Sequence, residues 1–171
     1  MIARGSRQRG SVEAYRSDES LGANLEYTRL EGAFLAALSR GPTTVLLGVR
    51  GGSAFDSTLP VHHDFSLGGF QRMSGLLPRE VVGNHYGFAR VTVRTQLGTL
   101  PTALQGGAFY LGFSLEGGNA WDDTQSVQFG DFQGAASVFA GVETFVGPLF
   151  VSYGRTASGD DKVYLMLGRG L

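Results

Sequence analysis

The sequence predicts an all-β fold of about eight antiparallel strands joined in up-and-down order, and this prediction is based on three observations. Glycine makes up 27 of the 171 residues, which disfavours long helices and is common at turns, bulges and close-packed strand faces. Apolar and polar side chains alternate along most of the chain, as they do in strands with one apolar face. The connections between the alternating segments switch regularly between short and long.

The strands are predicted in chain order from this alternation. A weak first strand is expected near residues 11–16. The better-patterned strands are 27–39, 44–52, 86–97, 107–121, 135–145, 149–155 and 162–171. The clearest is 107–121, where Leu111, Phe113 and Leu115 alternate with small or polar residues.

The lengths of the connections favour a membrane barrel over a soluble sandwich. Short turns are predicted at 40–42, 98–106 and 146–148, longer polar loops at 17–23, 55–83 and 122–133, and a brief polar loop at 157–161. Long loops gathered at one end of a meander are typical of transmembrane β-barrels, whereas a sandwich has no reason to sort its loops in this way.

The face chemistry is compatible with a bilayer as solvent. The polar faces of the predicted strands carry Arg29, Glu31, Arg90, Arg94, Glu116 and Glu143, which would line a hydrated lumen. The alternation alone does not say which face points outward. A self-contained small outer-membrane barrel with a binding or adhesion role, and a soluble ligand-binding β-barrel or sandwich, therefore stay open as alternatives.

Composition excludes several classes of protein. With 42% apolar, 11% aromatic and 17% charged residues and a net charge of -1, the chain is neither disordered nor a general nucleic-acid binder. The absence of cysteine removes disulfides and Cys-ligated zinc. No apolar stretch approaches the roughly 20 residues of a membrane-spanning helix. The first residues lack the apolar core of a secretory signal, so we expect any signal to lie upstream and the chain to be a fragment.

Two phrases carry a family resemblance. Residues 65–76, which read FSLGGFQRMSGL, resemble the conserved sixth extracellular loop of the Omp85 superfamily. Residues 113–121, which read FSLEGGNAW, resemble the barrel-wall motif F-x-x-D-x-G of that family. Over 27–171 the chain resembles the C-terminal half of the surface-antigen (D15) β-barrel that follows the phospholipase domain of patatin-like outer-membrane proteins.

The resemblance implies an architecture and a role. Residues 1–26 would begin the fragment with a weak first strand and a loop, and 27–171 would form the second half of a 16-stranded antiparallel transmembrane β-barrel, with 55–83 folding into the lumen. Such a barrel would anchor, or help secrete, an N-terminal passenger such as a patatin-like phospholipase. It would lie in the bacterial outer membrane without being an enzyme or needing a cofactor. Its implied partners are outer-membrane lipid, the barrel-assembly machinery, and the missing N-terminal half or another copy of the chain.

The resemblance also implies a contact between the loop and the barrel wall, formed by Arg72, Ser74 and Gly75 with Glu116 and Gly118. In the transporter branch of the family an arginine of the loop motif pairs with the wall acid. At the aligned positions this chain has residues 73–76, Met-Ser-Gly-Leu, and no arginine. Arg72 lies on the same side if the segment is extended, so we hypothesise that it pairs with Glu116; the alternative is that Arg72 is a solvated loop charge.

The end of the chain resembles the insertion signal that the barrel-assembly machinery recognises. Leu165, Leu167 and Leu171 would carry this signal, with Leu171 in place of the usual terminal aromatic residue.

Candidate chemistry elsewhere is weak. His62, His63 and Asp64 are consecutive, so their side chains would point to opposite sides of an extended loop, and no metal site is predicted. The sequence contains no G-x-S-x-G nucleophile motif. A lipid hydrolase that pairs His85 with a strand serine such as Ser114 is kept as a minor alternative.

Overall fold

The computed structural model describes residues 4–17, 27–55, 59, 63–99, 107–123 and 126–168. It contains ten strands: β1 (Arg4–Ser17), β2 (Tyr27–Arg40), β3 (Thr43–Ser53), β4 (Phe65–Leu67), β5 (Val81–Gly83), β6 (His85–Thr99), β7 (Ala108–Trp121), β8 (Gln133–Thr144), β9 (Gly147–Thr156) and β10 (Asp161–Leu167). A 3-10 turn, Phe129–Asp131, precedes β8. Among the described residues, no helix is long and apolar enough to cross a membrane.

Eight of the strands form one antiparallel sheet in the order β1-β2-β3-β6-β7-β8-β9-β10. Each strand of this sheet pairs with the next one along the chain, apart from the β4–β5 hairpin inserted between β3 and β6. The all-β, antiparallel, up-and-down prediction is confirmed. Within the described residues β1 pairs only with β2 and β10 only with β9, so the sheet is open and has two edges.

The two faces of the sheet differ in what covers them. One face, which we call the open face, carries apolar side chains that remain exposed; they include Val91, Leu111, Phe113, Leu115, Val138, Val151 and Leu165. The opposite face, which we call the loop face, carries Arg90, Thr92, Ser114, Glu116, Ser137 and Ser152, and most of these side chains are buried. The segment 63–83 lies over the loop face, where β4 and β5 contact β6 and β7.

The hydrophobic core lies beneath this segment. Phe65, Leu67 and Met73 of the segment are at most 2% exposed and pack against Tyr86 and Phe88 of β6. A Cβ placed at Gly118 of β7 would lie 3.1 Å from Leu67 Cδ1, so this glycine lets the segment approach the sheet closely. The core is therefore built between a loop and one sheet face.

The predicted strands differ from the observed ones at three places. The first strand, predicted near 11–16, runs over the whole of Arg4–Ser17, because its main chain pairs with β2 along its full length although its side chains alternate poorly. The β4–β5 hairpin was not predicted, because its three-residue strands are too short to show a period. The last strand ends at Leu167 and Gly168 forms a bend, while residues 169–171 of the predicted strand, including Leu171, lie outside the described residues.

Candidate functional site: a loop latched onto the sheet

The loop segment 68–76 is folded back on itself. Gly68 N donates to Arg72 O at 2.6 Å, and Gly69 N donates to Leu76 O at 3.0 Å. Gln71 and Met73 adopt positive φ angles of 58° and 78°, in a region that residues other than glycine rarely occupy. Such strain persists only where surrounding contacts hold the backbone in place. The contacts that hold this segment converge on one carboxylate of the sheet.

Glu116 of β7 is that carboxylate. Its Oε2 accepts hydrogen bonds from Met73 N at 2.8 Å and Ser74 N at 2.7 Å. Its Oε1 accepts one from Ser74 Oγ at 2.8 Å and another from Ser114 Oγ. Because the hydroxyl proton of Ser114 is used on Glu116, the 2.7 Å contact between Ser114 and Ser137 has Ser137 as its donor. We call this set of contacts the latch.

The latch is dry. Glu116 is 6% exposed, and Ser74 and Ser114 are 0% exposed. A buried carboxylate is tolerated when donors satisfy its oxygens, and bonds to an ionised acceptor are about twice as strong as neutral ones. Two main-chain amides and two hydroxyl groups supply those donors here. The latch therefore fixes both the position and the backbone direction of residues 73 and 74.

Arg90 supplies the nearby positive charge. It lies opposite Glu116 in the β6–β7 register, and its Nη1 donates to Gln71 O at 3.1 Å and Gln71 Oε1 at 2.9 Å. Arg90 and Glu116 thus hold consecutive parts of the same loop. The positive charge of the site is therefore carried by Arg90, a residue of the sheet, and not by a residue of the loop.

The predicted pair of Arg72 with Glu116 does not form. Arg72 is exposed, and its Nη2 donates to Ser66 O at 2.8 Å. The prediction assumed an extended segment, but the positive φ angles of Gln71 and Met73 fold the chain so that main-chain amides reach Glu116 instead. The other predicted contact residues do lie where the loop contacts the sheet. Ser74 donates to Glu116, Gly75 lies close to Thr156 of β9, and Gly118 of β7 lies beneath Leu67 of the loop.

A second anchor ties the loop to the edge strand β10. Gly75 N donates to Tyr164 Oη at 2.7 Å, and Tyr164 Oη donates to Leu76 O at 2.8 Å. Phe70 packs edge-on against Phe139 of β8 with ring centroids 5.3 Å apart. The loop therefore spans the loop face from β7 to β10.

Two glycines permit this crossing. A Cβ at Gly154 of β9 would lie 2.5 Å from Ser74 Cβ, which is closer than two non-bonded carbon atoms approach in proteins. A Cβ at Gly75, where φ is 108°, would lie 2.7 Å from Thr156 N. The loop main chain passes directly over the backbone of β9.

Sequence reasoning missed Arg90 as a loop partner, and it missed Tyr164 and Gly154 altogether. A signal existed for Tyr164, which stands at a polar-side position between Val163 and Leu165 in the alternation of β10. For Gly154 there was none, because a strand glycine gives no hint of which segment passes over it. Arg90 could have been found by pairing the predicted strands 86–97 and 107–121 across the turn predicted at 98–106.

The remaining predicted residues are placed as follows. Leu165 and Leu167 are 73% and 58% exposed on the open face. The His63 ring is tilted by 41° against the ring of Tyr27, with centroids 5.3 Å apart, while His62 lies outside the described residues. Within the described part of the chain, no group of three or more metal-ligating side chains comes together.

The structure does not bring His85 and Ser114 together. His85 Nδ1 contacts Ser53 Oγ at 2.9 Å, at the strand end that pairs with Trp121. Ser114 lies seven residues further along β7, roughly 23 Å at the usual rise of a strand, and it points into the latch. These two residues do not form a catalytic pair.

Comparisons with protein-family models, curated proteins and solved structures found no match for this chain.

Proposed function

We propose that the chain forms part of the wall of a bacterial outer-membrane β-barrel of the surface-antigen type, and that this barrel anchors or helps secrete an attached passenger such as a patatin-like phospholipase. The observation that carries the proposal is the open face. Its apolar side chains are exposed across the entire width of the sheet, from Phe34 at 47% and Val49 at 55% to Leu115 at 57% and Leu165 at 73%.

Water is a poor solvent for such a face. Moving each of these side chains out of water stabilises the fold by about 1.5–3 kcal/mol, so a water-soluble protein would bury them in its own core. Here the core lies on the other face, which also carries Arg29, Arg90 and Glu116. Apolar residues facing outward and polar residues facing inward are the arrangement of strands that meet lipid.

The open edges support a role as part of a larger wall. In lipid, an unpaired strand edge exposes main-chain groups that have no water to bond, at several kcal/mol for each group. Neither β1 nor β10 has a second partner within the described residues. The proposal therefore includes additional strands, from a missing N-terminal half or another copy, that pair with both edges.

The latched loop gives the wall an internal support. It binds β6, β7 and β10 at once, through Arg90, Glu116 and Tyr164. A loop fixed in this way would narrow the lumen of the barrel and hold the last strand in line with the others. In this role it would stabilise a barrel that anchors a passenger.

A cysteine scan tests the membrane location, since the chain has no cysteine of its own. Single cysteines are placed at open-face positions 113 and 115 and at loop-face positions 94 and 162, and they carry a spin label in protein folded into lipid vesicles. We expect oxygen to relax the open-face labels and an aqueous nickel chelate to relax the loop-face labels. A chain that stays monomeric in buffer without detergent, with the nickel chelate reaching positions 113 and 115, would overturn the proposal.

The passenger is tested in cells. The reading frame is extended upstream, and the full-length protein is compared with a version that ends before residue 27. We expect the passenger to fractionate with the outer membrane only when residues 27–171 are present. Equal release of the passenger from both proteins would contradict an anchoring role.

A further inference from the structure

A cavity of 260 Å³ lies beside the latch, between the loop and strands β2, β3 and β6. Four arginines line it: Arg29, Arg50, Arg72 and Arg79. Two carboxylates, Glu31 and Asp64, also face it. The cavity lining thus has an excess of two positive charges.

Part of the negative charge is already used within the chain. Glu31 Oε2 pairs with Arg29 Nη2 at 2.7 Å, and Glu31 Oε1 accepts a hydrogen bond from Tyr86 Oη at 2.5 Å. Asp64 is then the remaining carboxylate of the cavity lining, which also contains Arg50 and Arg72. The cavity lining therefore presents more guanidinium groups than carboxylates.

Several donors on the cavity wall lack acceptors. Arg50 is exposed and has no hydrogen-bond or ion-pair partner among the described residues. Arg72 donates through one Nη to Ser66 O and has further N–H groups available. Arg29 Nε is buried without an acceptor in the described part of the chain, although buried donors are nearly always paired.

The cavity is also preorganised. The guanidinium of Arg29 lies 4.4 Å above the ring of Phe65, which restricts its orientation. Arg72 Nη2 is held on the carbonyl of Ser66 at 2.8 Å. Like charges that line one cavity repel one another, so an anion placed between these arginines would be stabilised.

The chemistry of the donors selects the anion. Guanidinium groups present parallel N–H pairs that match two oxygens of a phosphate, and several arginines together suit a dianion better than a single carboxylate. The volume is below that of a drug-sized pocket, so the bound group is small. We infer that the cavity binds a phosphate monoester or diphosphate group, carried either by a soluble compound or by a lipid headgroup.

A calorimetric titration tests this inference, which does not depend on the membrane location. The folded chain is titrated with inorganic pyrophosphate and with dibutyryl phosphatidic acid, a water-soluble lipid headgroup, at one ionic strength. We expect Arg50→Gln to weaken binding by about tenfold or more, because it removes a charge-assisted donor. Since the Arg50 side chain is exposed and makes no hydrogen bond or ion pair within the described chain, this variant should fold normally, as its unfolding midpoint will check.

Arg155→Gln is the matched control, because Arg155 is exposed and does not line the cavity. Tighter binding of phosphatidic acid would identify a lipid headgroup as the ligand, and tighter binding of pyrophosphate a soluble phosphate. The inference is overturned if neither compound binds, or if the two variants weaken binding equally, since general charge attraction would then explain it. A chain that proves soluble without detergent would overturn the outer-membrane proposal and leave this titration valid.

Discussion

The open face and the loop face hold equally regular strands, but they keep their side chains in place by different means. On the loop face, Glu116, Arg90 and Tyr164 each contact particular atoms of residues 71–76. On the open face, side chains such as Leu115 and Val138 remain 57% and 58% exposed. The loop face is held by specific contacts, whereas the open face leaves its apolar side chains exposed.

This difference predicts two kinds of response to mutation. The effect of a loop-face substitution on stability should depend on which atoms it removes or adds, because each of these atoms has a partner at a defined distance. The effect of an open-face substitution on stability should depend only on the hydropathy of the new side chain. Matched pairs of variants, one on each face or at a buried and an exposed site, can test this contrast.

The largest effect is expected for Glu116→Ala. It removes the acceptor for two main-chain amides and two hydroxyl groups in a buried site. Leaving buried donors without partners costs about 1–3 kcal/mol each, so we expect a loss of about 3–5 kcal/mol in the free energy of unfolding and rapid proteolysis within 63–83. Urea unfolding and limited proteolysis of the refolded chain provide the measurement.

Glu143→Ala is the control for this variant. Glu143 is an exposed carboxylate that, among the described residues, accepts one side-chain hydrogen bond, from Tyr110 Oη at 3.0 Å, so its loss should cost under about 1 kcal/mol. Equal costs for the two variants would show that Glu116 is not a special anchor.

Leu115→Arg addresses the open face. A charge placed on the lipid side of a barrel strand near the bilayer centre costs about 2–4 kcal/mol, whereas Leu115→Phe should cost under about 0.5 kcal/mol. Unfolding in lipid vesicles measures both variants. If the arginine variant is as stable as the phenylalanine variant, water covers this face and the contrast between the faces has to be explained in another way.

Gly154→Ala adds one methyl group beneath the loop. Its Cβ would lie 2.5 Å from Ser74 Cβ, so the loop must shift, and overpacking of this kind costs about 1–3 kcal/mol. Gly32→Ala is the control, because no atom lies within 4 Å of its added Cβ. We expect the control to be neutral or slightly stabilising, and a neutral Gly154→Ala would show that the loop does not press on β9.

The strand pattern could be predicted from the sequence because it is local. The alternation around Leu111 and Phe113, or around Val91, reports only which side chains share a face, and the structure has the same division. The length of β1 could not be predicted in this way, because main-chain pairing with β2 maintains that strand. The alternation also could not predict whether the sheet closes into a barrel, because closure depends on which strands pair with its two edges.

The latch could be predicted only in part. Glu116 and Ser74 were singled out by the resemblance to a known loop and wall, but the partner chosen for Glu116 was Arg72. The donors that reach Glu116 include the main-chain amides of Met73 and Ser74, which every sequence contains and no pattern reveals. Their direction depends on positive φ angles at Gln71 and Met73, where the sequence has no glycine to announce them.

The smallest effect is expected for Tyr164→Phe, and it separates the two faces most finely. The change removes only the hydroxyl that joins Gly75 N and Leu76 O, so we expect a loss of about 1 kcal/mol and faster hydrogen exchange at the Gly75 amide. Tyr153→Phe on the open face, where Tyr153 is 41% exposed, should leave that exchange rate unchanged. Because both variants lose one phenolic oxygen, a difference between them comes from the loop contact; if they behave alike, the loop is not anchored to β10.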